Sequence, residues 1–349
     1  MSFTRKKRRS RAVLLSSFGS FLLINLVFAV VIDTRWCSVR DPDYTFRAVR
    51  WQSSLQSSSA KTMLFLGSSR VSCGIDAETI THELKGQITA FNFAIPGSSF
   101  FKQRVYLERI NEDHRLPDLV VIELMIPFLC GSKIPYEQKR IEGDQFSVQE
   151  LSSISLAGNF RGCFRKWFYH RSLPIRKDAE GIRRKLHLDT LFPTPGLNQE
   201  DRTIDAYGWR PSDLPEDREQ ALRSLAHNTY DQHYSGFAIC AEQEEKLDAL
   251  LARCLNLKVK PILLIMPEGS GFRRLFDQDS ERTLQDLLQT LKRKYGVAVI
   301  DTRSWMADNA FVDEHHMRSR AGKAFSQRLA QEALPPVLES LSSTMAANH

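Results

Sequence analysis

The chain has 349 residues, 42% of them hydrophobic, enough for a substantial core and too many for a disordered polypeptide. Its formal charge of +7 suggests nucleic acid until it is located: Arg5, Lys6, Lys7, Arg8, Arg9 and Arg11 supply six of the seven units. With one unit left for everything after them, a nucleic-acid-binding face loses its support.

The basic tail, residues 1–11, runs directly into Ala12–Ile32, which carries no charge. At 1.5 Å per residue this stretch reaches about 31 Å as a helix, the thickness of a bilayer's hydrocarbon layer. It is expected to be a transmembrane helix. Small residues at the spacing of a signal-peptide cleavage site are not evident before "DTRWC", and Cys37 lacks the small neighbours of a lipobox, so the expected anchor is retained rather than cleaved. Basic residues prefer the cytoplasmic side, which places the chain once across the inner (cytoplasmic) membrane with everything from Asp33 onward outside the cytoplasm.

Residues 33–60 are polar and end in "WQSSLQSSSAK", which suits a linker or a short helical neck. A globular domain, residues 61–335, then opens with the apolar run "TMLFLG". Four further runs resemble it: "ITAFNFAIPG", "PDLVVIELMIP", "KPILLIMPEG" and "GVAVIDTRSW". Between several of them lie segments of helical spacing, most clearly Leu247, Leu250, Leu251, Cys254 and Leu257. Buried strands alternating with amphipathic helices predict an α/β fold of three layers, α/β/α, around a mostly parallel five-stranded sheet. Ligands of such sheets gather at the carboxyl ends of the strands, here the loops after Leu66, Pro96, Met125, Met266 and Ile300. Residues 132–235 contain no comparable strand and are expected to form a largely helical or irregular insertion, with residues 336–349 as a tail.

Six cysteines without any C-x-x-C pair argue against a zinc ribbon or a thioredoxin-type motif. Cys73 and Cys254 are expected to be small buried hydrophobes.

At the end of the first strand stand Gly67, Ser68 and Ser69. A Gly-Ser-Ser turn is commonly a helix start, but backbone N–H groups there also face a reacting group, and a serine so placed needs only a base to become a nucleophile. No phosphate-loop pattern is present. Near the other end, "NAFVDEHHMRSRAG" separates Asp313 from His316 by two residues, a spacing that on a turn puts the carboxylate on one imidazole nitrogen and leaves the other to face a serine. His315 is adjacent but projects differently, and without a third ligand at suitable spacing no metal site is expected.

A first-strand Gly-x-Ser with a late Asp-x-x-His resembles the SGNH/GDSL hydrolase superfamily. "LGSSR" is similar to its first block, with Ser69 at the nucleophile position, and "FNFAIPGSS" to its second, with Gly97 as a backbone donor to the oxyanion beside the Ser69 amide. "FVDEHHM" is similar to its last, with Asp313 orienting and His316 as base. The "GSSR" form, the anchor and "PDLVVIEL" resemble the membrane-anchored bacterial branch that includes DltD and the alginate O-acetylation proteins. The resemblance implies a flavodoxin-like SGNH fold and serine-based acyl chemistry without metal or organic cofactor. It also implies a cell-envelope polysaccharide as substrate and a multi-pass membrane acyltransferase as partner. One departure stands out: where the third block usually supplies an asparagine to the oxyanion hole, the chain reads Met125, Ile126, Pro127. Loss of one such donor typically costs about 3 kcal/mol of transition-state stabilisation.

Arg70, next to the candidate nucleophile, is a candidate contact to an anionic substrate group, with a structural ion pair as the alternative. The insertion offers "RGCFRKWFYHRSLPIRK", in which Arg165, Lys166 and Arg171 are candidate contacts to an anionic polymer or lipid headgroup. Phe164, Trp167 and Phe168 are expected to pack onto the core. The leading expectation is therefore a serine esterase or O-acyltransferase, acetyl being the favoured group. The alternative is a non-catalytic accessory or binding module of polysaccharide modification that keeps the fold.

Overall fold

The computed structural model describes residues 2–56, 60–130, 145–154, 160–187, 204–211 and 218–346. Five strands form one sheet: β1 (Lys61–Leu66), β2 (Ile88–Asn92), β3 (Leu119–Glu123), β4 (Lys260–Ile265) and β5 (Ala298–Asp301). Their order is β2-β1-β3-β4-β5 and every pairing is parallel. The five apolar runs of the sequence are these strands, and they lack polar alternation because both faces of the sheet are covered. Met63, Phe65, Val121, Ile262 and Leu264 join Val71, Ile75, Ile80, Phe325 and Leu329 in one core cluster. The alternate residues Leu64, Leu66, Val120, Ile122 and Leu263 are equally buried. The fold is thus the expected three-layer α/β one.

Helix Ala241–Asn256 buries Leu247, Leu250, Leu251 and Cys254, the stripe its spacing predicts. Cys73, by contrast, is only half-buried, because it lies on the exposed side of a short helix.

The order places β1 between β2 and β3, so the chain leaves β1 in one direction and later builds outward in the other. The carboxyl ends of β1 and β3 are therefore the topological switch point, where such sheets open a crevice.

The chain divides into two compact units: Met1–Thr45 with Ile141–Leu197, and Phe46–Arg140 with Asn198–His349. The first contains the N-terminal helix Ser2–Thr34 and the helices Phe160–Ser172, Pro174–Lys177 and Ala179–Lys185. Within Ser2–Thr34, residues 10–34 are long and apolar enough to cross a membrane. The second unit holds the sheet.

Two segments lie elsewhere than the sequence suggests. Residues 42–56 of the expected linker form a helix, and its Trp51 is fully buried, packing on Phe91 and donating to the Arg115 carbonyl at 2.8 Å. The last part of the expected insertion returns to the sheet unit: the Asn92 amide donates to the Tyr207 carbonyl at 2.8 Å, and helix Glu219–Tyr234 packs on helix Ser270–Leu275. Residues 132–144, 155–159, 188–203 and 212–217 of that insertion lie outside the described residues.

Candidate active site

β1 ends at Leu66 and the chain turns at Gly67 into a short helix, Ser69–Gly74, capped by Ser68, whose hydroxyl accepts the Arg70 amide at 3.2 Å. A side chain at residue 67 would not fit: a Cβ there would come within 2.6 Å of Val71 Cγ2 and 2.8 Å of Glu123 Oε2. Beyond Asn92, the β1–β2 pairing continues through the amides of Phe93 and Ile95, which donate to the carbonyls of Phe65 and Gly67 at 2.9 and 3.1 Å. That carries the turn at Gly97, whose φ is +74°, alongside the Ser69 loop.

Six residues of helix cannot satisfy their own terminal carbonyls. Asn92 does so from β2, its Nδ2 donating to Val71 and Ile75 at 2.8 Å each. Trp209 Nε1 donates to the Cys73 carbonyl at 2.7 Å, and the Arg210 amide to that of Ser72 at 3.0 Å. Ser69 is thus held at both ends of its helix.

The partner of Ser69 comes from the turn after β5. Phe311 and Met317 form an antiparallel bridge, which folds Asp313–His316 into a tight turn with Glu314 in the left-handed region at φ +74°. Asp313 Oδ1 accepts the His316 amide at 2.8 Å while Oδ2 accepts His316 Nδ1 at 2.7 Å. With its Nδ1 proton on Asp313, His316 presents Nε2 as an acceptor to the Ser69 hydroxyl, 2.7 Å away. Burial alone would raise the Asp313 carboxyl. The His316 hydrogen bonds and the imidazole charges outweigh that and hold it below the usual carboxylate range.

His315 faces elsewhere. It is buried against Tyr230 and Phe272, with ring centroids 5.1 and 5.8 Å away, and its Nδ1 sits on the Asp313 carbonyl at 3.2 Å. Burial, followed by the charge on His316, pushes its pKa well below the ordinary histidine value, so it stays neutral. Glu314 fastens the turn to the loop after β4: its carbonyl accepts the Gly269 amide at 2.7 Å and its carboxylate the Gly271 amide at 3.0 Å.

Beneath Ser69 lies a buried ionic cluster. Glu123, at the end of β3, accepts the Ser68 amide at 2.6 Å. Its other oxygen lies 3.8 Å from Arg70 Nε. Arg70 reaches on to Glu268 at 3.3 Å and to the carbonyls of Met266 and Pro267 after β4, while Tyr234 donates to Glu268 at 2.6 Å. Burial would lower the Arg70 guanidinium, but Glu268, Tyr234 and Glu123 together raise it. Burial raises Glu123 against the pull of Arg70 and the Ser68 amide. Glu123, Glu268, Tyr234 and Asn92 escape a reading of motifs; the signal that could have found Glu123 is a carboxylate directly ending a buried apolar strand, and Glu268 stands in the loop just after the next one.

Two expected substrate contacts are corrected. Arg70 is 1% exposed and enclosed by carboxylates, and Arg171 is equally enclosed by Asp33 and Asp178. Neither guanidinium reaches solvent. Arg165 is exposed and Lys166 half-buried, on a helix of the other unit. Phe164 and Phe168, expected in the core, are 39% and 60% exposed. Residues 124–129, where the third block would supply a side-chain donor, are buried and apolar.

Among the described residues, two clusters have the residue types of a metal site: Asp313 with His315 and His316, and Asp76 with Glu78 and Asp205. In the first, both His316 nitrogens and both Asp313 oxygens are committed to the hydrogen bonds above. In the second, Asp76 caps a helix and accepts from Thr79, and Asp205 accepts the amides of Tyr207 and Trp209.

Sheet order and hydrogen bonds together define a doubly wound α/β protein with a Ser–His–Asp trio at its switch point. The chain belongs to the DUF1574 family, described as protein of unknown function, whose profile matches residues 46–322 and so takes in Ser69, Asp313 and His316. Among curated proteins, none matches. The chain is similar to a solved structure of a proposed acylhydrolase from Bacteroides fragilis, with TM-score 0.36 and 12% identity over 82% of this chain and 94% of that one. It is also similar to an α/β hydrolase enzyme from the metagenome of Lake Arreo, Spain (TM-score 0.36, 11% identity, 78% and 95% covered). A third is a catalytic mutant of an acetylxylan esterase from Geobacillus stearothermophilus (TM-score 0.38, 12% identity, 79% and 94% covered).

Proposed function

We propose that this protein is a membrane-anchored serine esterase or O-acyltransferase of SGNH type, working outside the cytoplasm on an ester of a cell-envelope polysaccharide, with acetyl as the acyl group. The carrying observation is the continuous chain of hydrogen bonds from Ser69 through His316 to Asp313, each link 2.7 Å. In this reading Ser69 Oγ attacks the ester carbonyl as its proton passes to His316 Nε2. Asp313 keeps Nδ1 protonated and stabilises the imidazolium that forms. The amides of Ser69 and Gly97 receive the oxyanion. Collapse releases the alcohol, which takes the proton from His316 and leaves the acyl group on Ser69. Water or a sugar hydroxyl, deprotonated by the same imidazole, then removes it. The chemistry requires no metal or organic cofactor.

The envelope setting rests on the basic tail ahead of an uncharged helix, which favours export of the rest of the chain. The branch typified by DltD and the alginate O-acetylation proteins supplies the expectation of a multi-pass membrane acyltransferase as donor partner. The apolar stretch 124–129 favours a second reading, a non-catalytic accessory module that retains the cleft, because an oxyanion held by backbone amides alone is less stabilised.

The test is turnover of p-nitrophenyl acetate by the full chain in detergent, with and without an added oligosaccharide acceptor. Acetate release or acetyl-sugar formation that disappears in Ser69→Ala is the expected result. Equal rates for parent and Ser69→Ala on folded protein would leave the accessory reading standing.

A further inference from the structure

The helix Phe160–Ser172 is fastened to the end of the N-terminal helix by a buried joint. Trp167 Nε1 donates to Asp33 Oδ1 at 3.1 Å, and the Val148 amide donates to Asp33 Oδ2 at 3.1 Å. The Arg171 guanidinium lies 3.8 Å from Asp33 and 3.4 Å from Asp178. Asp33 and Arg171 are both buried, so the joint is fixed in a way that a solvated ion pair is not.

The helices Phe160–Ser172 and Pro174–Lys177 both pack against the N-terminal helix. That helix changes character along its length. Leu14, Leu15, Leu22 and Leu23 stand open, whereas Asn25, Phe28, Ala29 and Ile32, which share one face, are covered or half-covered. The covered turns belong to the same uncharged stretch, Ala12–Ile32, that is long enough to cross a bilayer. Whatever medium surrounds those turns also surrounds the helices beside them.

Those helices are built for an interface. Phe164, Phe168, Tyr169 and Leu173 are 39%, 60%, 59% and 37% exposed, open apolar side chains that water disfavours. Phe164 stacks on Trp167 and Phe168 at centroid distances of 5.5 and 6.4 Å, so these three rings form one surface. Along the same segment Arg165, Arg176, Lys177 and Lys185 are exposed, and the Lys177 ammonium lies 4.6 Å from the Tyr169 ring centroid. Open aromatic rings and exposed cations on one segment, packed at the end of an apolar span, are the composition of a segment lying in the headgroup region.

We propose that residues 160–185 lie in the interface of the bilayer that Ala12–Ile32 spans, with the aromatic face at the headgroup–acyl boundary and Arg165, Arg176, Lys177 and Lys185 on the phosphates of anionic lipids. This rests on the reading of the N-terminal helix as a membrane span. Continuity with that span selects lipid over a second copy of the chain or a soluble polymer as the occupant.

The test uses the full chain in nanodiscs of phosphatidylcholine mixed with phosphatidylglycerol. The photo-crosslinker p-benzoylphenylalanine is placed, one position at a time, in place of Phe168, of Leu22 within the span, or of Arg282 on the charged, exposed face of helix Gln278–Tyr295 in the sheet unit. Intact mass spectrometry after irradiation should show lipid adducts from positions 168 and 22 and none from 282. At position 168 the phosphatidylglycerol adduct should exceed its mole share by about twofold, an excess that shrinks when Arg165→Ser and Arg176→Ser are combined. A lipid adduct at 22 with none at 168 overturns the proposal and leaves the span intact. A chain-to-chain crosslink at 168 overturns it in favour of a second copy. No adduct at 22 overturns the membrane reading, and the proposal with it. An adduct at 168 without lipid preference overturns the role given to the cations.

Discussion

The loop after β1 and the helix Phe160–Ser172 use the same residue types in opposite ways. In sequence, Arg70 and Arg165 are alike, each beside a suspected functional element. In the fold, Arg70 is a bolt between the carboxyl ends of β1, β3 and β4, with Glu123, Glu268 and two carbonyls around it. Arg165 is exposed. The lesson is that an arginine's role follows from what the strand register brings to it. A guanidinium surrounded by buried carboxylates positions backbone, and an exposed one among open aromatic rings is available for a partner.

The largest expected effect lies in the first region, where each polar group has one assigned contact. His316→Ala should lower the rate of Ser69 modification by a fluorophosphonate about a thousandfold or more, measured on protein whose circular dichroism and melting temperature match the parent.

The legibility of these two regions differs for a physical reason. Strand runs and the Ser69, Asp313 and His316 blocks are local patterns, so the five strands and the trio could be read directly. The Arg70 cluster could not, since Glu123 lies 55 residues beyond Ser68 and Glu268 198 residues beyond Arg70, and they meet only through the β1–β3–β4 register. Likewise, nothing local in residues 204–211 announces that Tyr207 pairs with Asn92 at the edge of β2. The exposure of Phe164 and Phe168 is not legible in the sequence, because aromatics at 164, 167 and 168 have the same helical spacing whether they face a core or stand open.

Breaking the bolt comes next in size. Arg70→Gln leaves Glu123 and Glu268 buried without their cation and should cost about 3–5 kcal/mol of stability. Arg165→Gln should stay within about 0.5 kcal/mol, both read from chemical denaturation. Comparable losses in the two variants would mean that the buried and the exposed arginine contribute alike to the fold.

Asp313→Asn should slow fluorophosphonate modification by a large factor, though a smaller one than His316→Ala, because it keeps shape but loses the charge that stabilises imidazolium. It also carries a pH signature. The folded-state carboxyl is held below its ordinary value of 3.8, so its stabilising contribution is complete above that value and is lost as pH falls through the lower folded-state one. The variant's stability deficit should therefore be full at neutral pH and fade in acid; a deficit that grows in acid would contradict the pairing.

The smallest effect at the site belongs to His315. Packed edge-on against Tyr230 and tilted against Phe272, and kept neutral, it should cost under about tenfold in modification rate when replaced by alanine, with the loss seen mainly in melting temperature. A larger loss of rate than that of His316→Ala would exchange the roles of the two histidines.

The central claim is that Ser69 is a nucleophile activated by His316 and Asp313, and peptide mapping of the full chain after fluorophosphonate treatment tests it most directly. The account predicts one phosphonyl adduct per chain, on the peptide containing Ser69, absent in Ser69→Ala and nearly absent in His316→Ala. An adduct on another residue, or none on a folded parent chain, would contradict it.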